Sequence, residues 1–216
     1  RVKKVSGAMD VRERVIIEAT RLFSEMGIKS VRMDDIAEAC GISKRTLYEH
    51  FVDREDLVRQ SICYHIRRHE QQMLEQMKEA ANVIDEFWIL FGHGSEFKSS
   101  TRMVTLDLLK FYPKIFDEVM RNQYEAFVRG NEVRLRRGIE QGLVLKRIDV
   151  TFVARSLTRY LYGLHQDFSD IVISSRVDGN KSEPRPLQLA IMYFVRGITT
   201  DEGRRYIDGN ILKGIE

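Results

Sequence analysis

Cysteine, proline and long apolar runs are scarce in this sequence, and each scarcity excludes a class of protein. The two cysteines, Cys40 and Cys63, are too few for a disulfide scaffold and lack the spacing of a metal site. Only three prolines interrupt the 216 residues, which favours a mostly helical chain. No apolar run approaches the length of a membrane span, and no hydrophobic segment follows the basic start. We therefore expect a cytoplasmic protein with no membrane partner.

The chain also has little excess charge of either sign, because its basic and acidic residues nearly balance. The formal net charge is +3, which is weak for a nucleic-acid-binding protein, so such a function has to depend on where the cations lie. Basic residues crowd positions 1–14, where a solvated and frayed end explains them, and recur at Lys44 and Arg45. A hydrophobic content of 43% with 31% charged residues indicates a folded globular protein rather than a disordered one.

A short segment near the N-terminus carries the most informative pattern. Apolar residues at helical spacing between positions 33 and 40 predict a short helix, and Gly41 stands where a left-handed C-terminal cap belongs. Ser43 can then cap a second short helix whose inward residues are Leu47 and Phe51. Two helices joined in this way are either a helix-turn-helix or an ordinary corner between helices. In a helix-turn-helix, the second helix enters the major groove of DNA. The outward residues of the second helix are Lys44, Arg45, Thr46, Tyr48 and His50.

These residues resemble the signature of the TetR family of bacterial transcriptional regulators. The resemblance rests on Ser43–Phe51 and on Asp53–Leu57, and it covers about the first quarter of the chain closely. It implies an all-α fold, with an N-terminal three-helix helix-turn-helix DNA-binding module in residues 1–52 and a C-terminal helical ligand-binding and dimerisation domain in residues 53–216. The implied function is a ligand-responsive repressor that binds a palindromic double-stranded DNA operator as a dimer. Matching positions upstream are Gly27, Ile36, Ala37, Gly41 and Ile42.

The resemblance also implies a set of DNA contacts. In the family, the helix that matches Lys44–His50 reads base edges, and the residues that match Tyr48 and Arg54 contact phosphates. Arg32 departs from the family by replacing the hydroxyl cap of the first motif helix, and Arg45 by standing where many relatives have glycine. Arginine can donate two hydrogen bonds to guanine, so we expect Arg45 to read a base, with backbone or solvent contact as the alternative. The expected DNA-binding residues are Arg32, Ser43, Lys44, Arg45, Thr46, Tyr48, His50 and Arg54.

Periodicity predicts further helices on both sides of the motif. An amphipathic stripe predicts a first helix over Val11–Met26. Residues 53–81 contain neither proline nor glycine and predict a long connecting helix that Asp53 caps. Later helices are expected over residues 103–112, 115–141, 150–173 and 187–198, followed by a short tail.

Two late apolar helices could close the core of a monomer or pair with a second copy. In the resembling family, the last two major helices form the dimer interface. A second copy would also supply the second half-site that one short recognition helix needs for useful affinity. We therefore expect a homodimer. The expected interface residues are Val150, Val153, Leu157, Leu161, Leu164, Phe168, Leu187, Ala190, Ile191, Phe194 and Ile198.

The middle of the chain is where we expect an unknown small-molecule effector to bind. Pockets between bundle helices are mostly apolar, although aromatic residues and methionines at helical spacing are more often core than pocket. A ligand that favours a tilted connecting helix would weaken operator binding by about five- to 150-fold, given a coupling of about 1–3 kcal/mol. The candidate pocket residues are Trp88, Phe91, Met103, Leu106, Phe111, Phe116, Met120, Tyr124, Phe127, Tyr160, Tyr162 and His165.

Other classes of function have weaker signals. His65 and His69 lie four residues apart and could bind zinc with Glu70 or His50, but an exposed basic helix turn explains them as well. The sequence has no nucleophile elbow, phosphate-binding glycine loop or paired-carboxylate pattern, so we expect neither an enzyme nor a bound cofactor or metal. The main rival is a helical ligand-binding or adaptor dimer that has lost operator binding.

Overall fold

The computed structural model describes residues 10–92, 99–160 and 186–213. These residues are mostly helical, and their one extended pairing is an isolated antiparallel bridge between Val144 and Thr199. The expected all-α fold is confirmed. Over the same ranges, no helix combines the length and the apolar character needed to span a membrane. The helices are α1 (Val11–Met26), α2 (Met33–Ala39), α3 (Lys44–His50), α4 (Arg54–Met77), α5 (Val83–Gly92), α6 (Ser99–Phe111), α7 (Pro113–Glu140), α8 (150–160), α9 (Pro186–Gly197) and α10 (Asp201–Tyr206).

The described residues form two compact units, each with its own apolar core. The first unit takes in those of Arg1–Gln72 and Phe97–Met120, and the second unit those of Met73–Glu96 and Arg121–Glu216. The expected domain division after residue 52 stays a prediction. Fully or almost fully buried side chains include Phe23, Leu47, Phe51 and Leu57 in the first core and Phe87, Leu135, Leu157 and Ile191 in the second.

Helix α1 occupies the predicted residues because its apolar stripe is buried and its C-terminus requires glycine. Ala19 is fully buried, and Phe23 is 1% exposed. The helix ends at Gly27, whose φ of 81° and ψ of 155° belong to a region that is essentially restricted to glycine. A Cβ atom on Gly27 would lie 2.9 Å from Asp107 Oδ2 and 3.2 Å from Met103 Cγ. Both the backbone conformation and the packing of α6 therefore require glycine at this position.

The second unit contains a partly buried ion-pair cluster. Oε2 of Glu86 lies 3.6 Å from Arg134 Nε and also pairs with Arg137, and the side chains of Glu86 and Arg134 are each 14% exposed. Burial lowers the pKa of Arg134, while the Glu86 carboxylate opposes this shift. Nearby in the fold, the fully buried Asn131 donates from Nδ2 to Thr158 Oγ1 over 3.2 Å. These polar contacts fix how α7 faces α5 and α8.

Helix α4 ends at Met77, four residues before the expected end. The next three N–H groups bond to carbonyls three residues back, which closes the helix in a tight turn. Asn82 then caps α5, since its Oδ1 accepts from the N–H groups of Ile84 over 2.8 Å and Asp85 over 3.3 Å. The chain therefore ends α4 at Met77, within the range predicted for one long helix, and begins the new helix α5 after Asn82.

The residues after α9 are helical where a short tail was expected, so that expectation is wrong. Thr200 caps α10, because its Oγ1 accepts from the N–H of Gly203 over 3.2 Å. The chain continues as a π-helical turn over Ile207–Ile211, and the Ile207 side chain is fully buried in the second core. Arg196 holds Asp208 through two hydrogen bonds of 2.7 Å. This segment is therefore a packed part of the second unit.

We expect Gly27→Ala to destabilise the first unit more than Gly41→Ala. Gly41 has a φ of 63° and nothing within 4 Å of an added Cβ, so alanine there adds about 1–2 kcal/mol of left-handed backbone strain. At Gly27 the strain is joined by close contacts with Asp107 and Met103, and we expect a loss of at least about 2–3 kcal/mol. Urea unfolding followed by circular dichroism measures both free energies, and equal losses would show that α6 does not pack tightly against the turn.

Candidate nucleic-acid interface

Helix α3 is held by a capped N-terminus and two buried side chains. Ser43 Oγ accepts from the backbone N–H of Thr46 over 3.1 Å and lies 2.9 Å from its hydroxyl oxygen. Leu47 is fully buried and Phe51 is 1% exposed, so both pack into the first core. Before the helix, Gly41 adopts a φ of 63°, as the predicted left-handed turn requires. The predicted turn, cap and inward residues of the helix-turn-helix are confirmed.

The outward face of α3 presents cations and an aromatic ring beside carboxylates. The side chain of Arg45 is 90% exposed and Tyr48 is 46% exposed. Arg45 Nε lies 3.2 Å from Glu49 Oε1, and Lys44 Nζ lies 2.9 Å from Asp34 Oδ1 in α2. The hydrogen bond to Asp34 raises the pKa of Lys44. A face of this composition has the donors that base edges and phosphates accept.

Arg32 stands at the N-terminus of α2, and a carboxylate supplies the cap that its own side chain lacks. The backbone N–H of Arg32 donates to Asp35 Oδ2 over 2.6 Å, so an acidic residue offsets the missing hydroxyl. The Arg32 side chain is exposed, which suits contact with a phosphate. Among the other expected contact residues, Ser43 is exposed and Thr46 and His50 are half-buried.

The guanidinium of Arg54 forms three hydrogen bonds within the protein. Its Nη1 donates to the carbonyl of Val31 and its Nη2 to the carbonyl of Ile28, each over 2.5 Å. Its Nε donates to the hydroxyl oxygen of Tyr112 over 2.9 Å. These bonds connect the start of α4 with the turn between α1 and α2 and with the junction of α6 and α7. Carbonyls distant in sequence therefore hold the guanidinium of Arg54, which gives this residue a structural role. The expected phosphate contact of Arg54 stays a prediction.

A basic cleft of about 350 Å³ lies beside the Arg54 bonds. Three of its lining residues, Lys29, Arg32 and Arg54, are cations, and none of the six is acidic. Lys29 Nζ lies 5.2 Å and Lys110 Nζ 5.5 Å from the centre of the Phe111 ring, which attracts both cations. Lys29 is absent from the expected contacts, although its position three residues before Arg32 could have indicated it. The lining residues are Lys29, Val31, Arg32, Arg54, Phe111 and Tyr112.

The expected effector-pocket residues are divided between the two units. Met103, Leu106, Phe111, Phe116 and Met120 belong to the first unit, and Trp88, Tyr124, Phe127 and Tyr160 to the second. Phe116 packs against the first core, whereas Trp88, Tyr124 and Phe127 pack against the second, as core residues would. Leu106 is 53% exposed. The effector pocket stays a prediction, and its members Phe91, Tyr162 and His165 lie outside the described side chains.

The expected dimer stripe faces the core of its own chain where the structure describes it. Leu157 and Ile191 are fully buried in the second core, which corrects their assignment to a dimer interface. By contrast, Phe152 and Tyr193 lie outside the predicted stripe and are 69% and 59% exposed. Val150, Val153, Ala190, Phe194 and Ile198 are half-buried. Leu161, Leu164, Phe168 and the side chain of Leu187 lie outside the described part of the chain.

Metal binding finds no support in the part of the chain that the structure describes. Over residues 10–92, 99–160 and 186–213, no three His, Cys, Asp or Glu side chains gather closely enough to hold a metal ion. These ranges include His65 and His69, the pair that could have formed a zinc site. Cys40 and Cys63 are free thiols, and each is half-buried.

Comparisons with known proteins match the N-terminal segment. The family profile described as bacterial regulatory proteins, tetR family, matches residues 16–60. The HTH-type transcriptional regulator AcrR of Shigella flexneri is 38% identical over 50 residues, which are 23% of this chain and 23% of that protein. An HTH-type transcriptional regulator of Staphylococcus aureus strain USA300 is 39% identical over 59 residues, which are 27% of this chain and 29% of that protein. The chain thus aligns with about a quarter of the length of these relatives.

Solved structures resemble the chain over most of its length. A TetR-family transcriptional regulator from Cytophaga hutchinsonii has a TM-score of 0.67 at 13% identity and covers 92% of this chain and 100% of its own. A transcriptional regulator from Saccharomonospora viridis, solved in complex with choline, has a TM-score of 0.62 at 17% identity and covers 88% of this chain and 97% of its own. At these identities, the likeness establishes the fold alone.

We expect Arg54→Met to cost more stability than Tyr112→Phe. The arginine variant loses three hydrogen bonds and leaves the carbonyls of Ile28 and Val31 without that donor, so its loss should exceed about 1.5–3 kcal/mol. Tyr112→Phe removes one of the three bonds and should cost about 0.5–1.5 kcal/mol. Urea unfolding monitored by circular dichroism measures both. Wild-type stability in Arg54→Met would contradict the structural role.

Proposed function

We propose that this chain is a sequence-specific DNA-binding regulator of transcription, because its residues 16–60 match the profile of the tetR family of bacterial regulatory proteins. The observation that carries the proposal is the placement of α3. Leu47 and Phe51 anchor this helix in the core, while Arg45 and Tyr48 are exposed on its outer face. A helix held in this way presents its outer side chains to a DNA groove in a fixed register.

In this proposal α3 enters the major groove and neighbouring cations contact the DNA backbone. Arg45 donates two hydrogen bonds to a guanine. Tyr48 and Arg32 contact phosphates, and Lys29 joins them from the basic cleft. Lys44, which pairs with a carboxylate in the free protein, exchanges that partner for a phosphate. The phosphate contacts supply affinity, and Arg45 supplies sequence preference.

The regulator acts as a homodimer on a near-palindromic operator. A recognition helix of seven residues makes few base contacts, so two copies that read half-sites about 34–36 Å apart give useful affinity. Exposed aromatic residues on α8 and α9 suit a face for contact between copies, since Phe152, Tyr160 and Tyr193 are 69%, 40% and 59% exposed. Tyr160 also stacks on Phe194 with 6.2 Å between ring centres, which places the two helices side by side.

A small molecule relieves repression in this proposal. One solved structure with the same fold holds choline, which supports a ligand site among the helices of this chain. In the second unit, Asn131 Oδ1 is buried without a hydrogen-bond partner, and such a group favours a ligand that donates to it. A ligand that binds one arrangement of the helices better than another shifts the population towards it. The operator affinity then falls by the same coupling free energy.

Selection of bound fragments from random double-stranded DNA tests the proposal, and we expect one enriched palindromic sequence. On that sequence Arg45→Ala should weaken binding by about 1–3 kcal/mol and reduce the preference for one base pair. Arg32→Ala should weaken binding to all sequences alike and lower the slope of log affinity against log salt by about 0.9. Fluorescence anisotropy at several salt concentrations measures both effects.

Two outcomes would contradict parts of the proposal, and a folding control accompanies them. Failure of the unchanged chain to enrich any site would contradict DNA reading and favour a helical ligand-binding or adaptor dimer that has lost operator binding. Equal losses on every sequence for both variants would show that Arg45 is not the base reader. Both residues are exposed, so circular dichroism of each variant should match that of the unchanged chain and controls for folding.

We expect Tyr193→Glu to convert the dimer into a monomer, because a carboxylate buried at the interface would lack a partner. The matched control is Leu74→Glu, a change at an apolar residue of α4 that is 58% exposed. Sedimentation velocity should show monomer for the first variant and dimer for the second. A dimer that persists in both Tyr193→Glu and Phe152→Glu would rule out this face as the interface.

A further inference from the structure

The face of α3 that points outward carries an acidic residue next to its main cation. Glu49 lies about one helical turn after Arg45, and its Oε1 lies 3.2 Å from Arg45 Nε. A carboxylate on a face that approaches DNA opposes binding, because it repels the phosphates. Because Glu49 would weaken DNA binding in this way, we expect it to improve specificity in return. Its contact with Arg45 indicates that the improvement concerns the base that Arg45 reads.

The contact with Glu49 uses one hydrogen-bond donor of the Arg45 guanidinium and leaves its two terminal nitrogens free to donate to DNA. Nε bonds to Glu49, so Nη1 and Nη2 remain as the two parallel donors at the end of the planar group. An arginine that recognises guanine directs two such donors at O6 and N7. Engagement of Nε by Glu49 therefore favours an end-on approach of Arg45 to the base.

Neighbouring charges leave the contact between Glu49 and Arg45 undisturbed. Lys44 is held by Asp34 of α2, with 2.9 Å between Nζ and Oδ1, and does not compete for Glu49. The N-terminus of α3 is capped by Ser43. The nearest cation on α3, Lys44, is therefore paired with a different carboxylate from the one that contacts Arg45.

The ion pair between Arg45 and Glu49 is weak in the free protein, where water surrounds it, and stronger in a DNA groove, where water is displaced. The side chains of Arg45 and Glu49 are 90% and 57% exposed, and exposed ion pairs contribute little in water. Entry into a DNA groove displaces water and lowers the effective dielectric constant around the two groups. The contact then becomes stronger at the moment when the guanidinium meets a base.

We propose that Glu49 is a positioning residue that determines specificity, because it holds Arg45 so that Nη1 and Nη2 read one guanine. The inference rests on the DNA-binding function proposed above. Removal of the carboxylate has two effects of opposite sign. Discrimination at the base pair read by Arg45 falls, and affinity for unrelated DNA rises because one negative charge has gone. Only the first effect reports positioning, because removal of any carboxylate near the DNA would raise the affinity for unrelated sequences.

The test compares the base preferences of the full chain with those of Glu49→Ala, Glu49→Gln and Glu25→Ala. Each protein selects fragments from random double-stranded DNA, and the bound fragments are sequenced. Glu25 pairs with Arg21 on α1 at the same four-residue spacing, with 2.6 Å between Nη1 and Oε2, so its variant controls for the loss of a surface ion pair. Circular dichroism checks that all four proteins remain folded.

Glu49→Ala should lower the preference for guanine at one base pair of each half-site by about tenfold. It should also strengthen binding to unrelated DNA by about two- to fivefold. Glu49→Gln keeps an oxygen that can accept from Nε and should retain more of the preference. Glu25→Ala should leave the selected sequence unchanged.

Unaltered base preferences in Glu49→Ala would overturn the inference and leave only a surface ion pair. A change confined to another base pair would also overturn it, because Glu49 would then accept directly from a cytosine N4 group. If the unchanged chain enriches no sequence, the proposed DNA-binding function is rejected and this inference with it. An enriched site that is identical for all four proteins rejects the inference alone.

Discussion

The guanidinium of Arg54 is the constraint on which the first unit depends. One side chain bonds to the carbonyls of Ile28 and Val31 and to the hydroxyl of Tyr112. Ile28 and Val31 are fully buried, so loss of their shared donor would cost more than the loss of the same bonds in water. Since α2 follows this turn directly, the position of the helix-turn-helix depends on a residue at the start of α4.

A low net charge is compatible with a DNA-binding surface because the motif places its cations individually. Lys44 and Arg45 each have a carboxylate partner, whereas Lys29 and Arg32 line a cleft without an acidic wall. The net charge of +3 is a sum over the whole chain, so it does not show whether individual cations are paired or unpaired.

Local signals predicted the helix-turn-helix, and long-range contacts account for what the sequence did not reveal. The turn at Gly41 and the cap at Ser43 depend on residues within four positions, so a short pattern suffices to identify them. The role of Arg54 depends on carbonyls 23 and 26 residues before it and on a hydroxyl 58 residues after it. The assignment of Leu157 to the dimer interface was wrong for a similar reason. Periodicity shows that this residue faces an apolar layer, but it does not show whether that layer is the core of the same chain or an interface.

The length of α3 limits how much sequence one copy could read. Its seven residues extend about 10 Å at about 1.5 Å each. This distance matches about three base-pair steps of about 3.4 Å. Two copies would read about six base pairs, and a sequence of that length recurs by chance about once in 4,000 base pairs, so a genome would offer many competing sites. Sequence-dependent bending and groove width at base pairs that the protein does not touch would supply further discrimination.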